Sequence, residues 1–285
     1  MESSPSRILA ESRATDDMIS GPQQLRDRTT TKIPIPVERI DGVIFDMDGV
    51  VTDTARLHAR CWKRVFDEYL RARSETTGEA LHLFEEEDYL RYVDGKPRYD
   101  GVESFLASRA ITLERGGPSD PPGHDTVCAL GNLKDQDFER AVREEGVTPF
   151  ESTLTWLRSL RSRGIGTALI SSSRHAKAIL AAAGIADLFD AIVDGVDADI
   201  LGLPGKPDPA IFLTAARHLG IIPSRAVVVE DALAGVAAGR RGGFGLVIGI
   251  DRRSHADALH QHGADIVVED LSDVELRTDP SKDRP

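Results

Sequence analysis

Six short runs of this chain are apolar at nearly every position instead of every second one. They are Gly42-Val43-Ile44-Phe45, Gly166-Thr167-Ala168-Leu169-Ile170, Ala191-Ile192-Val193, Ala226-Val227-Val228-Val229, Gly245-Leu246-Val247-Ile248 and Ile266-Val267-Val268. A strand that is apolar on both faces has to be covered on both, and a parallel sheet between two layers of helices does that. Most gaps between the runs read as helices, notably 152–163, 174–183, 209–219 and 232–241. The alternation calls for an α/β fold with a doubly wound parallel-sheet core.

One stretch breaks the alternation. From 57 to 147 the patterns are helical only, punctuated by Asp94-Gly95-Lys96-Pro97 and the Gly/Pro-rich 116–123. This block reads as a small helical cap inserted after the first strand. The expected organisation is a disordered N-terminal tail over 1–36, an α/β catalytic core over 37–56 and 148–275, the cap over 57–147, and a C-terminal tail over 276–285. A chain of 285 residues, 40% of them hydrophobic, suffices for one sizeable core and a smaller satellite.

Charge excludes some partners. The formal net charge is -12 and the Lys and Arg are scattered, which opposes both a nucleic-acid backbone and an anionic membrane surface. No apolar run approaches the roughly 20 residues that span a bilayer, and the start of the chain lacks the apolar middle of a secretory signal. Cys61 and Cys128 lack metal-type spacing and suit a reducing interior, so a cytoplasmic location is expected. The chain contains neither a GxxxxGK nor a GxGxxG phosphate loop.

In a doubly wound sheet, the loops at the carboxyl ends of the strands converge on one crevice. Asp46 and Asp48 follow the first strand, Ser171 the second, Lys206 lies in the loop after the third, and Glu230-Asp231 follow the fourth. So many carboxylates would repel one another without a divalent cation held by oxygen ligands. Phosphoryl transfer needs a nucleophile, a cation and donors around the phosphate oxygens. Ser171 and Lys206 can donate, a carboxylate can attack to give an aspartyl phosphate, and Asp48 can protonate the departing oxygen and later take a proton from the incoming one. Each residue alone has a plainer reading. Asp46 and Asp48 could form an acidic turn, Ser171 to Ser173 could cap a helix, Lys206 could be solvated, and Glu230-Asp231 could cap the next helix. Their joint order favours chemistry.

Phe45-Asp46-Met47-Asp48-Gly49-Val50-Val51-Thr52-Asp53-Thr54, Ser171, Gly205-Lys206-Pro207-Asp208-Pro209 and Val229-Glu230-Asp231-Ala232-Leu233-Ala234-Gly235 together resemble the haloacid-dehalogenase superfamily, in its β-phosphoglucomutase-like branch, over about 41–270. The resemblance implies a Mg²⁺ ion on the carboxylates of Asp46 and Asp231 and the backbone carbonyl of Asp48, with Glu230 at or just behind it. It implies Asp46 as nucleophile and Asp48 as acid and base. Ser171, Ser172, Lys206 and Thr52 fall among the phosphate and substrate contacts. In the cap, Arg98 matches an arginine that holds a distal phosphate, Lys134 a substrate-facing lysine, and His58 a hinge-side histidine with Trp62 nearby. Trp62 is expected to pack rather than bind.

The implied activity is a phosphosugar mutase, interconverting β-glucose 1-phosphate and glucose 6-phosphate through a bisphosphate. The alternative is a small-molecule phosphatase using the same aspartyl phosphate, and a third reading is a non-catalytic binding protein on this fold. Arg98 and Lys134 are the features that would separate mutase from phosphatase. The expected partner is a sugar phosphate, with the chain acting as a monomer. Three positions depart from the pattern: Leu133 stands where a basic residue is expected, Phe150-Glu151-Ser152 replaces Pro-Gly, and Gly195 to Gly205 makes a longer loop before Lys206.

Overall fold

The structure, a computed structural model, describes residues 32–278. In chain order the elements are β1 (Ile33–Pro36), β2 (Gly42–Asp46), α1 (Ala55–Thr77), α2 (Glu86–Asp88) running into a π-helical turn (Tyr89–Val93), α3 (Arg98–Ser108), α4 (Val127–Glu145), α5 (Glu151–Ser162) and β3 (Gly166–Ile170). There follow α6 (Ala176–Ala182), β4 (Ala191–Val193), α7 (Gly195–Leu201), α8 (Ala210–Leu219), β5 (Ala226–Glu230), α9 (Leu233–Arg241), β6 (Leu246–Ile250), α10 (Ala256–His262), β7 (Ile266–Val268) and β8 (Val274–Arg277).

The six apolar runs form one parallel sheet in the order β4-β3-β2-β5-β6-β7. Side chains alternate between its faces, as the strand period of two requires. Val43, Phe45, Val227 and Val229 join one apolar cluster with Trp156 and Leu157 of α5 and Leu180 of α6. Ile44 and Val228 face the other way, onto Phe212 of α8 and Val236 of α9. Helices thus cover both faces, and the central strands β2 and β5 are buried at every position. That burial is why their sequences do not alternate.

Many apolar residues between β2 and α5 pack around a cluster of their own, in which Phe66 of α1 lies 5.0 Å from Trp62 and 4.2 Å from Phe105 of α3 between ring centroids, while Leu57, Cys61, Phe138 and Ala141 join the sheet's cluster. Two linkers join this helical block to the sheet and pair with each other. Asp53 donates its N–H to the Thr148 carbonyl and Phe150 donates to that of Val51, both at 2.9 Å. No helix among the described residues is long and apolar enough to cross a membrane.

Two expectations need correcting. Residues 33–36 and 274–277, assigned wholly or partly to the tails, pair as β1 and β8 in a small parallel sheet of their own. The prolines of Ile33-Pro34-Ile35-Pro36 hid this strand; proline is tolerated where its missing N–H is not needed, as on an edge. The remainder of the expected tails, 1–31 and 279–285, lies outside the described residues. The expected long loop over Gly195 to Gly205 begins with α7, capped by Asp194, whose Oδ1 accepts the N–H groups of Val196 (2.9 Å) and Asp197 (3.0 Å).

Candidate active site

Asp46 is the last residue of β2, which aims its carboxyl into the crevice at the carboxyl edge of the sheet. Its Oδ2 accepts the N–H of Asp48 at 2.9 Å and its Oδ1 accepts from Lys206 Nζ at 2.6 Å. Lys206 also pairs with Oε1 of Glu230, the last residue of β5, and Glu230 Oε2 takes the Ala232 N–H at 2.7 Å. Asp46, Lys206, Glu230 and Asp231 are all buried. Burial works against the Lys206 ammonium, but Asp46 and Glu230 hold it protonated far above its ordinary range.

One oxygen from each of Asp46, Glu230 and Asp231 lies within 4.8 Å of the others. Burial drives the carboxyls of Asp46 and Asp231 well above the usual carboxylate range. Lys206 opposes this at Asp46 while Glu230 adds to it, and Asp94 and Glu230 add to it at Asp231. One lysine does not balance this many acids. Hard oxygen donors crowded beyond their own neutralisation fit a hard divalent cation. Two glycines make the crowding possible: a Cβ on Gly49, at φ 82°, would stand 1.9 Å from Asp231 Oδ2, and one on Gly235 would stand 1.6 Å from Glu230 Oε1.

Asp48 sits apart from these three. Thr54 Oγ1 donates to its Oδ1, His58 Nε2 is 3.4 Å from the same oxygen, and Ser171 Oγ donates to Oδ2 at 3.4 Å. Burial alone would raise its carboxyl, but His58 and Thr54 hold it down to about 2. The His58 ring stacks on Phe138 with centroids 3.9 Å apart, and its Nδ1 is 2.5 Å from Lys134 Nζ. Burial and the Lys134 charge lower the His58 pKa. A neutral imidazole that accepts at Nδ1 carries its proton on Nε2, the atom facing Asp48.

Lys134 is 4% exposed, with Nζ 5.2 Å from the Trp62 centroid and 4.5 Å from that of Phe138. Burial brings its pKa from the usual 10.5 to about 8. Below 8 both folded and unfolded chains hold the proton, and the folded state bears a cost on the order of 3 kcal/mol. Between 8 and 10.5 the unfolded chain holds the proton and the folded one releases it, so stability rises with pH and the cost disappears. Lys134→Met should therefore melt higher than the wild type at pH 7, with the difference shrinking towards pH 10; thermal denaturation across that range checks this, and a pH-independent difference would contradict it.

These residues line a cavity of about 310 Å³. Asp46, Asp48, Lys206 and Asp231 stand at the sheet end, and Arg98, His58, Lys134 and Ser172 also face it. Arg98, first residue of α3, pairs with Asp135 at 2.5 Å and donates to Asn132 Oδ1 at 3.2 Å. Ser172 Oγ donates to the Gly95 carbonyl at 2.9 Å. Thr52 lies beneath the loop instead of on the wall. It is fully buried, with its hydroxyl on the Met47 carbonyl (3.2 Å) and 2.8 Å from Thr54 Oγ1, so it supports the residue that touches Asp48. Ser171 is also fully buried and accepts the Ser173 N–H at 3.0 Å in a local turn beside its contact to Asp48; it does not cap α6, whose N-cap is His175. Trp62 stacks on Phe66 and also lines the cavity.

Sequence reasoning passed over Asp94, Asp135 and Arg174, which line the same cavity. Burial raises the Asp94 carboxyl to about 6 even though Arg253 and Tyr89 oppose it. Asp94 opens the motif that singled out Arg98, and Arg174 directly follows the serine run, so both lay next to a usable signal.

Residues 40–243 match the family described as haloacid dehalogenase-like hydrolase. The chain is 45% identical over 241 residues to the β-phosphoglucomutase of Mycobacterium tuberculosis (strain CDC 1551 / Oshkosh), covering 83% of this chain and 92% of that protein. It is 43% identical over 135 residues to the trehalose-phosphate phosphatase of Mycobacterium leprae (strain TN), 46% of this chain and 30% of that one. The crystal structure of β-phosphoglucomutase from Clostridium difficile shares the fold, with a TM-score of 0.63 at 22% identity over 83% of this chain and 93% of that one.

Proposed function

The chain belongs to the haloacid dehalogenase-like hydrolase family, and from that premise we propose that this phosphoryl-transfer enzyme is a phosphosugar mutase, interconverting β-D-glucose 1-phosphate and glucose 6-phosphate. The observation that carries this reading is the cavity's polarity. Besides the acids and Lys206, the cavity is lined by Lys134, which sits on His58, and by Arg98 and Arg174, each paired with an aspartate, cations that the second phosphate of a sugar bisphosphate could engage. A simple phosphatase substrate has no second phosphate for them to engage.

Asp46, as a phosphorylated carboxyl, gives its phosphoryl group to a sugar hydroxyl, and the P–O bond to Asp46 breaks as the new one forms. Asp48, ionised at neutral pH, takes the hydroxyl proton. After the bisphosphate turns end for end, Asp46 attacks the other phosphate and Asp48 returns the proton to the leaving oxygen. Thr54 and His58 hold the Asp48 carboxylate in line, and Lys206 keeps Asp46 oriented. Asp46 and Asp231 through carboxylates, Asp48 through its backbone carbonyl and Glu230 behind them would hold Mg²⁺. When bound, that ion neutralises charge on the transferring phosphoryl oxygens. The unpaired, buried Cys61 and Cys128 suit a cytoplasmic enzyme, and we take it to act as a monomer on small sugar phosphates, without nucleic acid or membrane.

The test is a screen that follows conversion of sugar 1-phosphates to 6-phosphates alongside phosphate release, primed with a bisphosphate. Isomerisation should outrun release; the reverse would install the phosphatase reading. In the same assay Arg98→Ala should lower isomerisation by about 10- to 100-fold, the worth of a charged hydrogen bond, while hydrolysis of a small aryl phosphate changes little. Arg98→Lys should not restore it, because the guanidinium fork binds phosphate in a bidentate way. Equal losses in both activities would make Arg98 a structural residue only.

A further inference from the structure

The loop leaving the carboxyl end of β6 carries two consecutive arginines that the chemistry above does not use. Arg252 reaches under the catalytic turn. Its Nε donates to the Gly49 carbonyl at 2.9 Å and its Nη1 to that of Glu269 at 3.0 Å, and its guanidinium carbon is 3.9 Å from the centroid of Phe150, where the chain re-enters the sheet domain. Arg253 reaches the other way. Its Nη2 donates to the carbonyl of Ala55, the first residue of α1, at 3.3 Å, and its guanidinium lies 4.7 Å from the Tyr89 centroid. Its Nη1 is 3.5 Å from Glu86 Oε1. One loop of the sheet domain therefore holds both linkers and, through Arg253, the segment that leads from Tyr89 to the cavity-lining Asp94.

The strength of that attachment is uneven. The Glu86 carboxylate is exposed, so its ion pair adds little. Tyr89 and the Arg253 side chain are largely buried, and a cation over an aromatic face gains most where water is excluded. A guanidinium can stack on the ring and donate to a carbonyl in its own plane at once, which an ammonium cannot do equally well.

We infer that Arg253 is a positioning residue that clasps the helical block to the sheet domain at the hinge, and so sets how the aspartyl phosphate divides between a sugar hydroxyl and water. The inference rests on the mutase reading, because only there does exclusion of water decide the product.

The experiment compares Arg253→Ala, Arg253→Lys and Glu86→Ala with the wild-type protein. Arg253→Ala should raise the ratio of phosphate release to primed isomerisation about tenfold, with hydrolysis of a small aryl phosphate within about twofold of wild type because that substrate needs no closed cavity. Arg253→Lys should recover part of the ratio, and Glu86→Ala should leave it unchanged. An unaltered ratio in Arg253→Ala, or equal loss of every activity, would overturn the inference. Should that variant fail to fold, Tyr89→Leu removes the ring beneath the guanidinium and should shift the ratio in the same direction; no shift would overturn the inference equally. Failure of the mutase reading itself is recognised separately, as wild-type protein that does not isomerise when primed. The clasp is then judged by hydrogen exchange, which should quicken over residues 84–94 in Arg253→Ala and, if unchanged, refutes it.

Discussion

Asp46→Asn should abolish turnover of sugar phosphates, by on the order of 10⁵-fold or more, the usual scale for removing a covalent nucleophile. An amide oxygen is too weak a nucleophile to form the acyl phosphate, so neither half of the exchange can begin. The fold should survive. Lys206 keeps its pair with Glu230, and the substitution removes one anion from a cluster whose members already push each other towards protonation. Thermal melting should therefore match or exceed that of the wild type, and intact-mass analysis after exposure to a bisphosphate should find phosphoprotein in the wild type alone. Activity above about one per cent of wild type, against losses of this size, would remove Asp46 from the nucleophile's place.

Asp48→Ala should slow primed isomerisation by about 10² to 10⁴-fold, the range of general acid–base catalysis. The loss comes from the proton, since the carboxyl of Asp48 stands outside the group of three whose oxygens converge. Metal affinity, read by activity against Mg²⁺ concentration or by calorimetry, should change little, and phosphoprotein should still form from a substrate whose leaving group needs no proton. Near-normal isomerisation would mean that another group moves the proton, and a large loss of metal affinity would mean that the side chain is itself a ligand.

The arrangement of Asp46, Asp48, Ser171, Glu230 and Asp231 was legible because each stands at the end of an apolar run, with Lys206 in the connection beyond another, and a parallel sheet delivers the carboxyl ends of such runs to one edge. What the sequence hid was non-local or shallow. Nothing around Ile33-Pro34-Ile35-Pro36 announces a partner at Val274–Arg277, because pairing between distant segments leaves no local pattern. The capping box of α7 was visible as Asp194 followed three residues on by Asp197, but the glycines around it read as loop. Thr52 shared a motif with Asp48, and only the backbone geometry turns its hydroxyl inward. Asp94 gave no sign that its carboxyl would be buried against the cavity.

The separate apolar cluster of Trp62, Phe66 and Phe105 has a consequence for how such a protein can diversify. The helices that carry Arg98 and Lys134 are held in part by that cluster, while Asp46 and Glu230 are held by the sheet. Substitutions in two bodies that share few partners act nearly additively. A lineage built this way can exchange one metabolite for another by mutation in the helices alone, and the reaction itself need not be reinvented each time.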